Sequence, residues 1–259
     1  MKKKDKPISL IKSVDHAFEL LEQFRGDVSE LNMSELGRRL QLHKNNVFRL
    51  LATLESRRFI EYNASTGSYR LGLKAFHLSR MVARQMRLVS RARPTMEAMV
   101  RKCNETVCLT VLREFSVICL DGVVCTQPVR VVPPIAIRLP AYCTAAGKAQ
   151  LAHFPGDKLA RFLSEQKFER NTPYTITDPA SFLENLQQVR QQGYAVSREE
   201  LEVGVTCVAA PVRDYSSNVI GAVVLPGPIT RFSNDRLIEE LIPHAVKGAA
   251  EISGHLGYC

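Results

Sequence analysis

A glycine-lysine pair opens an apolar, helix-like stretch in the sequence CTAAGKAQLA, residues 143–152, as such a pair does in nucleotide-binding loops. A phosphate-binding loop requires the pattern G-x-x-x-x-G-K-[ST], in which the first glycine permits the turn and the hydroxyl residue binds Mg²⁺. Tyr142 and Ala149 occupy those two positions. The pair Gly147-Lys148 is therefore not part of such a loop, and Lys148 is predicted to pair with a neighbouring carboxylate or carbonyl.

The same stretch predicts the start of a helix. Thr144 can cap it, and the amides of Ala145, Ala146 and Gly147 are then expected to point outward. Free N–H groups at a helix start favour an anion, so a carboxylate is a reasonable ligand here. The alternative is that these small residues only permit the helix to pack tightly on a sheet.

Catalytic and metal sites have weak support. The sequence contains no G-x-S-x-G pattern, and its seven cysteines form no C-x-x-C pair. Cys143 or Cys207 could pair with His153 or His244, but buried, reduced thiols are the more common arrangement. The glutamates at positions 199, 200 and 202 fit a solvated or salt-bridged set better than an acid/base cluster. We therefore predict no catalytic residues, no metal site and no cofactor.

Length and charge indicate two domains with different partners. The chain has 259 residues and a net charge of +9. Residues 1–93 hold 19 Lys and Arg and 9 Asp and Glu, which gives a net charge of +10. Residues 94–259 hold the other 16 Lys and Arg and 17 Asp and Glu, which gives a net charge of −1. A basic segment joined to a neutral one suggests a nucleic-acid-binding module. No membrane span or secretory signal is evident, so we expect a cytoplasmic location.

Three amphipathic helices are predicted in the basic segment. The first spans residues 13–24, with a buried stripe of Val14, Ala17, Phe18 and Leu21, and ends at Gly26 and Asp27. In the second helix, Asn32 is the predicted N-cap and Glu35 is expected to reach back to the Asn32 amide. Leu36 and Leu40 point inward. Gly37, which has no side chain, allows another helix to approach. The third, residues 44–56, buries Val47, Leu50, Leu51 and Leu54.

The last two helices are joined by three residues, which is helix-turn-helix geometry. The polar outer face of the third helix would then enter the major groove of DNA. Residues 59–71 follow as a predicted β-hairpin with Gly67 at a positive φ, which forms a wing. The predicted DNA contacts are Lys44, Asn45, Asn46, Phe48, Arg49, Thr53, Arg57, Arg58 and Arg70.

The rest of the chain reads as a linker helix followed by an α+β domain. Residues 73–89 are apolar over much of a helical surface, and we expect that linker helix to end at Pro94. Beyond it, strands alternate with helices, with one extended segment, VRVVPPIAIRL. The predicted boundaries are 8–72 for the winged helix-turn-helix, 73–93 for the linker and 94–259 for the second domain.

These stretches resemble the IclR family of bacterial transcription regulators. The resemblance is carried by MSELGRRLQLHKNNVFRLLATLESRRFIEYNASTGSYRLG, CTAAGKAQLA, TPYTITD, VRQQGYAVSREELEVGVTCVAAPVRD, GPITRFS and ISGHLGY, in the family's order. It implies that the second domain is a GAF-like domain that binds a small effector. It also implies a homo-oligomer, either a dimer or a dimer of dimers.

The resemblance further implies which residues contact the effector: Ala145, Ala146, Ser197, Cys207, Val224 and Pro226, to which the helix start adds Gly147. Relatives that bind small hydroxy- or keto-acids have hydroxyl residues where Val224 and Pro226 stand, and Asp where Ser197 stands. A polar ligand would lose hydrogen bonds here, at about 1–3 kcal/mol for each unpaired group. We therefore expect a more apolar acid, such as an aromatic one.

The sequence thus predicts a ligand-responsive regulator that binds double-stranded operator DNA, with repression favoured over activation. One alternative is an enzyme or metabolite-storage domain with a non-functional basic arm. Another is a DNA-binding protein that has lost its ligand. Joint exposure of Asn45, Asn46 and Arg49, followed by a wing, separates the regulator from the enzyme.

Overall fold

The computed structural model describes residues 10–25, 28–85 and 87–258. The chain divides into two compact units, Met1–Gln85 and Met86–Cys259. The residues Gly26 and Asp27, expected to end the first helix, lie outside the described part.

The first unit is the predicted winged helix-turn-helix. Three helices are followed by a two-stranded antiparallel hairpin and a fourth helix. The elements are α1 (Lys12–Leu21), α2 (Met33–Leu40), α3 (Lys44–Ser56), β1 (Ile60–Asn63), β2 (Ser68–Leu71) and α4 (Leu73–Gln85). Gly67 has a φ of 66° in the wing turn, as predicted.

The core of this unit confirms the stripe predicted for α3 and corrects the one predicted for α1. In α3, Val47, Leu51 and Leu54 are buried, and Leu50, the fourth residue of the predicted stripe, is half-buried. In α1 the buried residue is Leu20, whereas Val14 and Phe18 are 49% and 62% exposed. The helix also ends at Leu21 rather than at residue 24. Helical spacing identifies apolar stripes, but contact with α2 and α3 decides which stripe is buried.

The start of α2 is capped as predicted on one side only. The Asn32 Oδ1 atom accepts a hydrogen bond from the Glu35 amide at 2.9 Å. The Glu35 carboxylate does not return to the Asn32 amide, because it pairs with Arg38 at 3.1 Å and Arg39 at 2.9 Å. Gly37 allows the predicted close approach, since a Cβ there would lie 3.3 Å from the Leu42 carbonyl oxygen.

The predicted helix end at Pro94 is wrong. Pro94 lies inside α5 (Arg87–Cys103), on an exposed face of the helix. A proline removes one helical hydrogen bond, and water can solvate the carbonyl left without its donor when that face is exposed. The second unit therefore begins with a long helix.

The second unit is built on a six-stranded antiparallel sheet of order β5-β4-β3-β8-β7-β6, which confirms the α+β class. Its strands are β3 (Val107–Arg113), β4 (Ser116–Val123), β5 (Arg138–Pro140), β6 (Ala195–Arg198), β7 (Val205–Arg213) and β8 (Val219–Pro228). The segment predicted as extended contributes only β5 and an isolated bridge between Ile135 and Cys119.

Helices cover both faces of the sheet. One face carries α6 (Ala145–Leu151), α7 (Gly156–Glu165) and α8 (Pro179–Gln192), with Phe162 and Phe182 in its core. The other carries α5 and α10 (Ile242–His255), with Met96 and Leu109 in its core. After β8, the chain forms α9 (Asn234–Arg236), then a π-helical turn (Leu237–Leu241), and then α10. In the described part, none of the helices has the length and apolar character to span a membrane.

A buried carboxylate joins the start of β3 to the segment after β8. Glu105 is 1% exposed, and its oxygens accept from Arg231 at 2.7 and 2.8 Å and from Arg236 at 2.8 Å. Arg236 also pairs with Glu240. Charge-assisted bonds from two guanidinium groups compensate the desolvation of this carboxylate.

We expect Glu105→Ala to lower the free energy of unfolding by about 3 kcal/mol, because it leaves two partly buried guanidinium groups without their carboxylate. Chemical denaturation of the full chain measures this. The control is Glu97→Ala, which removes a surface pair with Arg93 whose side chains are 43% and 45% exposed. The control should cost less than about 1 kcal/mol. Equal losses from the two variants would contradict the structural role given to Glu105.

Candidate functional site

The outer face of α3 presents polar side chains that have no partner among the described residues. Lys44, Asn45, Asn46 and Arg49 are exposed, and none of these side chains forms a hydrogen bond or ion pair with the described residues. Phe48, on the flank of the same face, is 57% exposed. The amide, guanidinium and ammonium groups of this face are thus free to contact a ligand.

Two of the predicted contacts are already bonded within the protein. The Thr53 hydroxyl donates to the Arg49 carbonyl at 2.8 Å. Arg70, on the wing strand β2, forms an ion pair with Glu61 at 3.0 Å across the hairpin. Arg57 and Arg58 are exposed at the end of α3 and form no side-chain bond in the described part.

The wing is held to the rest of the first unit at both its base and its tip. At its base, a Cβ on Gly72 would lie 2.4 Å from the Arg58 carbonyl oxygen, so only glycine permits this approach. At its tip, Glu30 accepts hydrogen bonds from Asn63 and Thr66, each at 2.7 Å. These two bonds lower the pKa of Glu30 because they stabilise its carboxylate.

A cavity of about 190 Å³ lies between α6 and the sheet in the second unit. Its lining is mostly apolar, and no Lys, Arg or His side chain of the described part contributes to it. The lining residues are Cys108, Thr110, Val117, Cys119, Val131, Val132, Pro134, Leu139, Cys143, Thr144, Ala145, Ala146, Ser197, Leu201, Glu202, Val205, Cys207, Val224 and Pro226.

The structure brings six of the seven predicted effector residues together around this cavity: Ala145, Ala146, Ser197, Cys207, Val224 and Pro226. The missing residue is Gly147. Its amide was expected to point outward, but it donates to the Thr144 hydroxyl at 3.2 Å. A Cβ on Gly147 would lie 2.0 Å from the Ala141 carbonyl oxygen. Gly147 therefore permits tight packing, which is the alternative stated above.

The amides of Ala145 and Ala146 form no hydrogen bond within the described residues, and both residues are buried at the cavity wall. The hydroxyl groups of Thr110 and Ser197 in the cavity wall, in contrast, already donate hydrogen bonds within the protein. Thr110 donates to the Ala222 carbonyl at 3.1 Å, and Ser197 donates to the Cys143 carbonyl at 3.3 Å. The two amides are therefore the donors best placed to hold an acid group.

Sequence reasoning missed most of the cavity wall, including Cys108, Cys119 and the loop residues Val131 and Val132. A partial signal was present on β3, because Cys108 and Thr110 are two residues apart and share one face of a strand. The loop residues lack any such signal, since they lie outside regular structure.

Lys148 is buried, with 1% exposure, and its ammonium group binds the Glu200 carboxylate at 2.5 Å and the Val196 carbonyl at 3.0 Å. This confirms the pairing predicted for Lys148. Glu199 accepts instead from the Gly204 amide at 2.7 Å, so the three glutamates do not form one acid/base cluster. The ion pair ties α6 to the turn that carries Leu201 and Glu202 into the cavity wall.

The Cys/His pairs considered above do not form. Burial raises the pKa of both Cys143 and Cys207 to about 12, which keeps these thiols protonated. His153 contacts Arg213 at 3.3 Å, and burial followed by the charge of Arg213 lowers its pKa to about 4. In the described ranges, no group of three or more His, Cys, Asp or Glu side chains is placed to hold a metal ion.

We expect Gly147→Ala to destabilise the second unit by about 2 kcal/mol, because the added Cβ overlaps the Ala141 carbonyl and forces α6 off the cavity. Thermal unfolding of the full chain measures the loss. The matched control is Gly156→Ala at the start of α7, where an added Cβ meets nothing within 4 Å. If Gly147→Ala is as stable as Gly156→Ala, the close approach of α6 to the Ala141 backbone does not require glycine.

Two family models match the chain. The model described as the IclR helix-turn-helix domain matches residues 13–64, and the one described as the bacterial transcriptional regulator IclR C-terminal matches residues 80–254. Together they cover both structural units.

Similar proteins are regulators. The transcriptional regulator KdgR of Escherichia coli is 32% identical over 254 residues, covering 98% of this chain and 96% of its own. The transcriptional repressor IclR of the same organism is 27% identical, covering 94% and 89%. A crystal structure of an IclR homologue from Microbacterium hydrocarbonoxydans complexed with 4-hydroxybenzoate superposes with a TM-score of 0.84, at 25% identity and with 94% and 98% coverage.

Proposed function

This chain belongs to the IclR family of bacterial transcriptional regulators, and we propose that it is a repressor whose affinity for operator DNA is controlled by a small carboxylic acid. The observation that carries the DNA-binding part of the proposal is the exposed polar face of α3, whose side chains have no partner in the part of the chain that the structure describes. The observation that carries the effector part is the apolar cavity beside α6.

In the proposed complex, α3 lies in the major groove with Lys44, Asn45 and Asn46 nearest the bases. An asparagine amide can pair with adenine through two hydrogen bonds, and an arginine can pair with guanine in the same way. Asn45, Asn46 and Arg49 can do so without breaking an internal bond. Phe48 offers an apolar surface that suits a thymine methyl group.

Arg57, Arg58 and the wing residue Arg70 are proposed to contact phosphates. Such contacts position a protein on DNA without reading its sequence. Arg57 and Arg58 have free guanidinium groups in the described part, whereas Arg70 must share its charge with Glu61. We therefore assign the larger share of phosphate binding to the two arginines that follow α3.

We propose that the effector is an apolar carboxylic acid with a single aromatic ring. A cavity of about 150 Å³ is enough to hold benzene, so about 190 Å³ leaves room for a ring and an acid group. The acid group would accept from the Ala145 and Ala146 amides, and the ring would pack on Val224 and Pro226. The 4-hydroxybenzoate in the related crystal structure supports this class of ligand.

Control of DNA binding would follow from linkage. An effector that binds one conformation of the regulator better than another shifts the population toward it, and DNA affinity changes by the same factor as effector affinity. We propose a dimer or dimer of dimers as the unit that presents two recognition helices to the operator. The proposed DNA-binding domain is 8–72 and the linker begins at residue 73, whereas the second domain, predicted from residue 94, is now taken to begin with α5 at Arg87.

We expect Arg49→Ala to weaken operator binding by at least about tenfold, because a bidentate contact to a base contributes roughly 1–3 kcal/mol. A gel-shift titration measures it, and circular dichroism checks that the variant is folded. Arg161→Ala is the matched control, since it removes one charge from an exposed position on α7. Binding that is unchanged in Arg49→Ala, or equally weakened in the control, would contradict the assignment of α3.

Binding of wild-type protein to the operator should fall steeply with salt. Each phosphate contact releases condensed counterions from DNA, so the logarithm of affinity declines linearly with the logarithm of salt concentration. Fluorescence anisotropy with labelled operator at several salt concentrations gives the slope. Arg57→Ala should reduce the magnitude of that slope by the amount expected for the loss of one phosphate contact. An unchanged slope in this variant would show that Arg57 does not contact a phosphate.

The effector class is testable by thermal shift. Benzoate and 4-hydroxybenzoate should raise the melting temperature more than glyoxylate or pyruvate, because the cavity offers few hydrogen bonds and much apolar surface. Ala146→Leu should abolish the shift by filling the cavity, and Ala160→Leu, at an exposed position on α7, should preserve it. Stronger stabilisation by glyoxylate or pyruvate than by the aromatic acids would overturn the proposal.

A further inference from the structure

The second unit contains a further concave site, the β6 cleft, which lies between α8 and the edge strand β6. Its volume is about 430 Å³, a size typical of small-molecule sites. Ser197 of β6 lines the cavity beside α6, whereas its neighbours Val196 and Arg198 line the cleft. The cleft and the cavity share no lining residue, so they are separate sites.

Two buried side-chain oxygens at the β6 cleft have no hydrogen-bond partner among the described residues. They are Asn185 Oδ1, on α8, and Glu200 Oε2, on the turn that follows β6. Glu200 is 6% exposed, and its other oxygen accepts from Lys148. A buried acceptor without a hydrogen bond costs free energy, so this part of the cleft favours a ligand that donates. Both oxygens are closed off from solvent, but Asn185 is only half-buried and its side chain can turn to admit such a ligand.

The lining of the cleft carries one positive charge in excess. Lys148 and Arg198 are its cations, and Glu200 is its acidic residue. Glu200 pairs with Lys148, whereas the exposed guanidinium of Arg198 has no partner in the described part of the chain. A ligand with a single carboxylate would balance the charge, and a guanidinium can bind a carboxylate through two parallel hydrogen bonds.

The donor group of the ligand has to be uncharged and has to offer two hydrogens. An ammonium group at Glu200 would lie beside the Lys148 ammonium, and like charges repel strongly where water is excluded. A hydroxyl donates one hydrogen, whereas the NH₂ of a primary carboxamide donates two, which matches the two unpaired oxygens in number. Glu200 sets the need for a donor, because a carboxylate can only accept.

We propose that the β6 cleft is a second ligand site, which binds a small molecule with a primary carboxamide at one end and a carboxylate at the other. The carboxamide donates to Glu200 and Asn185, and the carboxylate pairs with Arg198. The carbon chain between them packs on the apolar part of the lining, which includes Ile176 and Val189. This site does not depend on the aromatic acid proposed for the cavity.

The test is a methyl NMR titration of the full chain, with labelled Ile and Val methyl groups, which gives affinity and location together. Succinamate is the probe, because it carries both groups on a two-carbon chain. We expect saturable shifts at Ile176 and Val189, and little change at Val224 in the cavity. Shifts confined to Val224, or no saturable shift, would overturn the proposal.

Two analogues test the two ends of the ligand. Monomethyl succinate has nearly the shape of succinamate but no N–H group, and propionamide lacks the carboxylate. Each should bind at least about tenfold more weakly than succinamate, because each leaves a polar group of the cleft without its partner. Equal binding of succinamate and monomethyl succinate would overturn the choice of a carboxamide, and equal binding of propionamide would overturn that of a carboxylate.

Variants assign the contacts to residues. Asn185→Leu keeps the approximate size of the side chain but removes the acceptor, and should weaken succinamate by about tenfold. In Arg198→Ala the difference in affinity between succinamate and propionamide should vanish. Arg190→Ala is the matched control, since it removes an exposed arginine of α8 that does not line the cleft. Glu200 is retained, because its loss would leave Lys148 buried and unpaired. Unchanged binding in Asn185→Leu, or equal weakening in the two arginine variants, would overturn the assignment.

A final titration separates the cleft from the proposed effector. Succinamate should still shift Ile176 and Val189 when 4-hydroxybenzoate is saturating, since the two sites share no lining residue. Complete displacement of succinamate by that acid would overturn the second site. If 4-hydroxybenzoate does not bind at all, the effector class is wrong, and the titration with succinamate still decides whether the cleft is a site.

Discussion

The buried ion pair between Lys148 and Glu200 is the interaction on which the cavity depends. It joins α6, whose first residues form one wall, to the turn that contributes Leu201 and Glu202 to another. Two charged groups that are both removed from water are stable only when they pair with each other. A shift of either element would therefore leave the charge on the other element buried and unpaired. Gly147 completes the arrangement, because α6 could not approach the Ala141 backbone with any larger residue. The space left beside these contacts is the cavity.

The two units distribute charge and apolar surface in opposite ways. In the first, unpaired polar groups remain on the outside of α3, while the wing is fastened by Glu30 at its tip and by Gly72 at its base. In the second, the buried Lys148 and Glu200 pair with each other, and the amides of Ala145 and Ala146 at the cavity wall form no hydrogen bond within the described residues. A polyanion such as DNA suits the first environment, and a small apolar acid suits the second.

The sequence by itself determined the features that depend on local spacing and on charge. The Asn32 cap, the buried stripe of α3, the wing turn at Gly67 and the basic first unit follow from residue type and position. The quoted motifs further identified the family, and six of the seven residues predicted to contact an effector line one cavity. Lys148 was expected to have a carboxylate or carbonyl partner, although the spacing did not identify Glu200, 52 positions away.

Only the tertiary structure decided which of two plausible local outcomes occurs. Packing against α2 and α3 buried Leu20 of α1 and left Phe18 exposed, although both fit an apolar stripe. Exposure of one helix face allowed α5 to continue through Pro94. Contact with Ala141 made Gly147 a packing position, and the folding of the sheet placed Cys108 and Cys119 in the wall of one cavity. Each of these outcomes is set by contacts between segments distant in sequence, which residue periodicity does not encode.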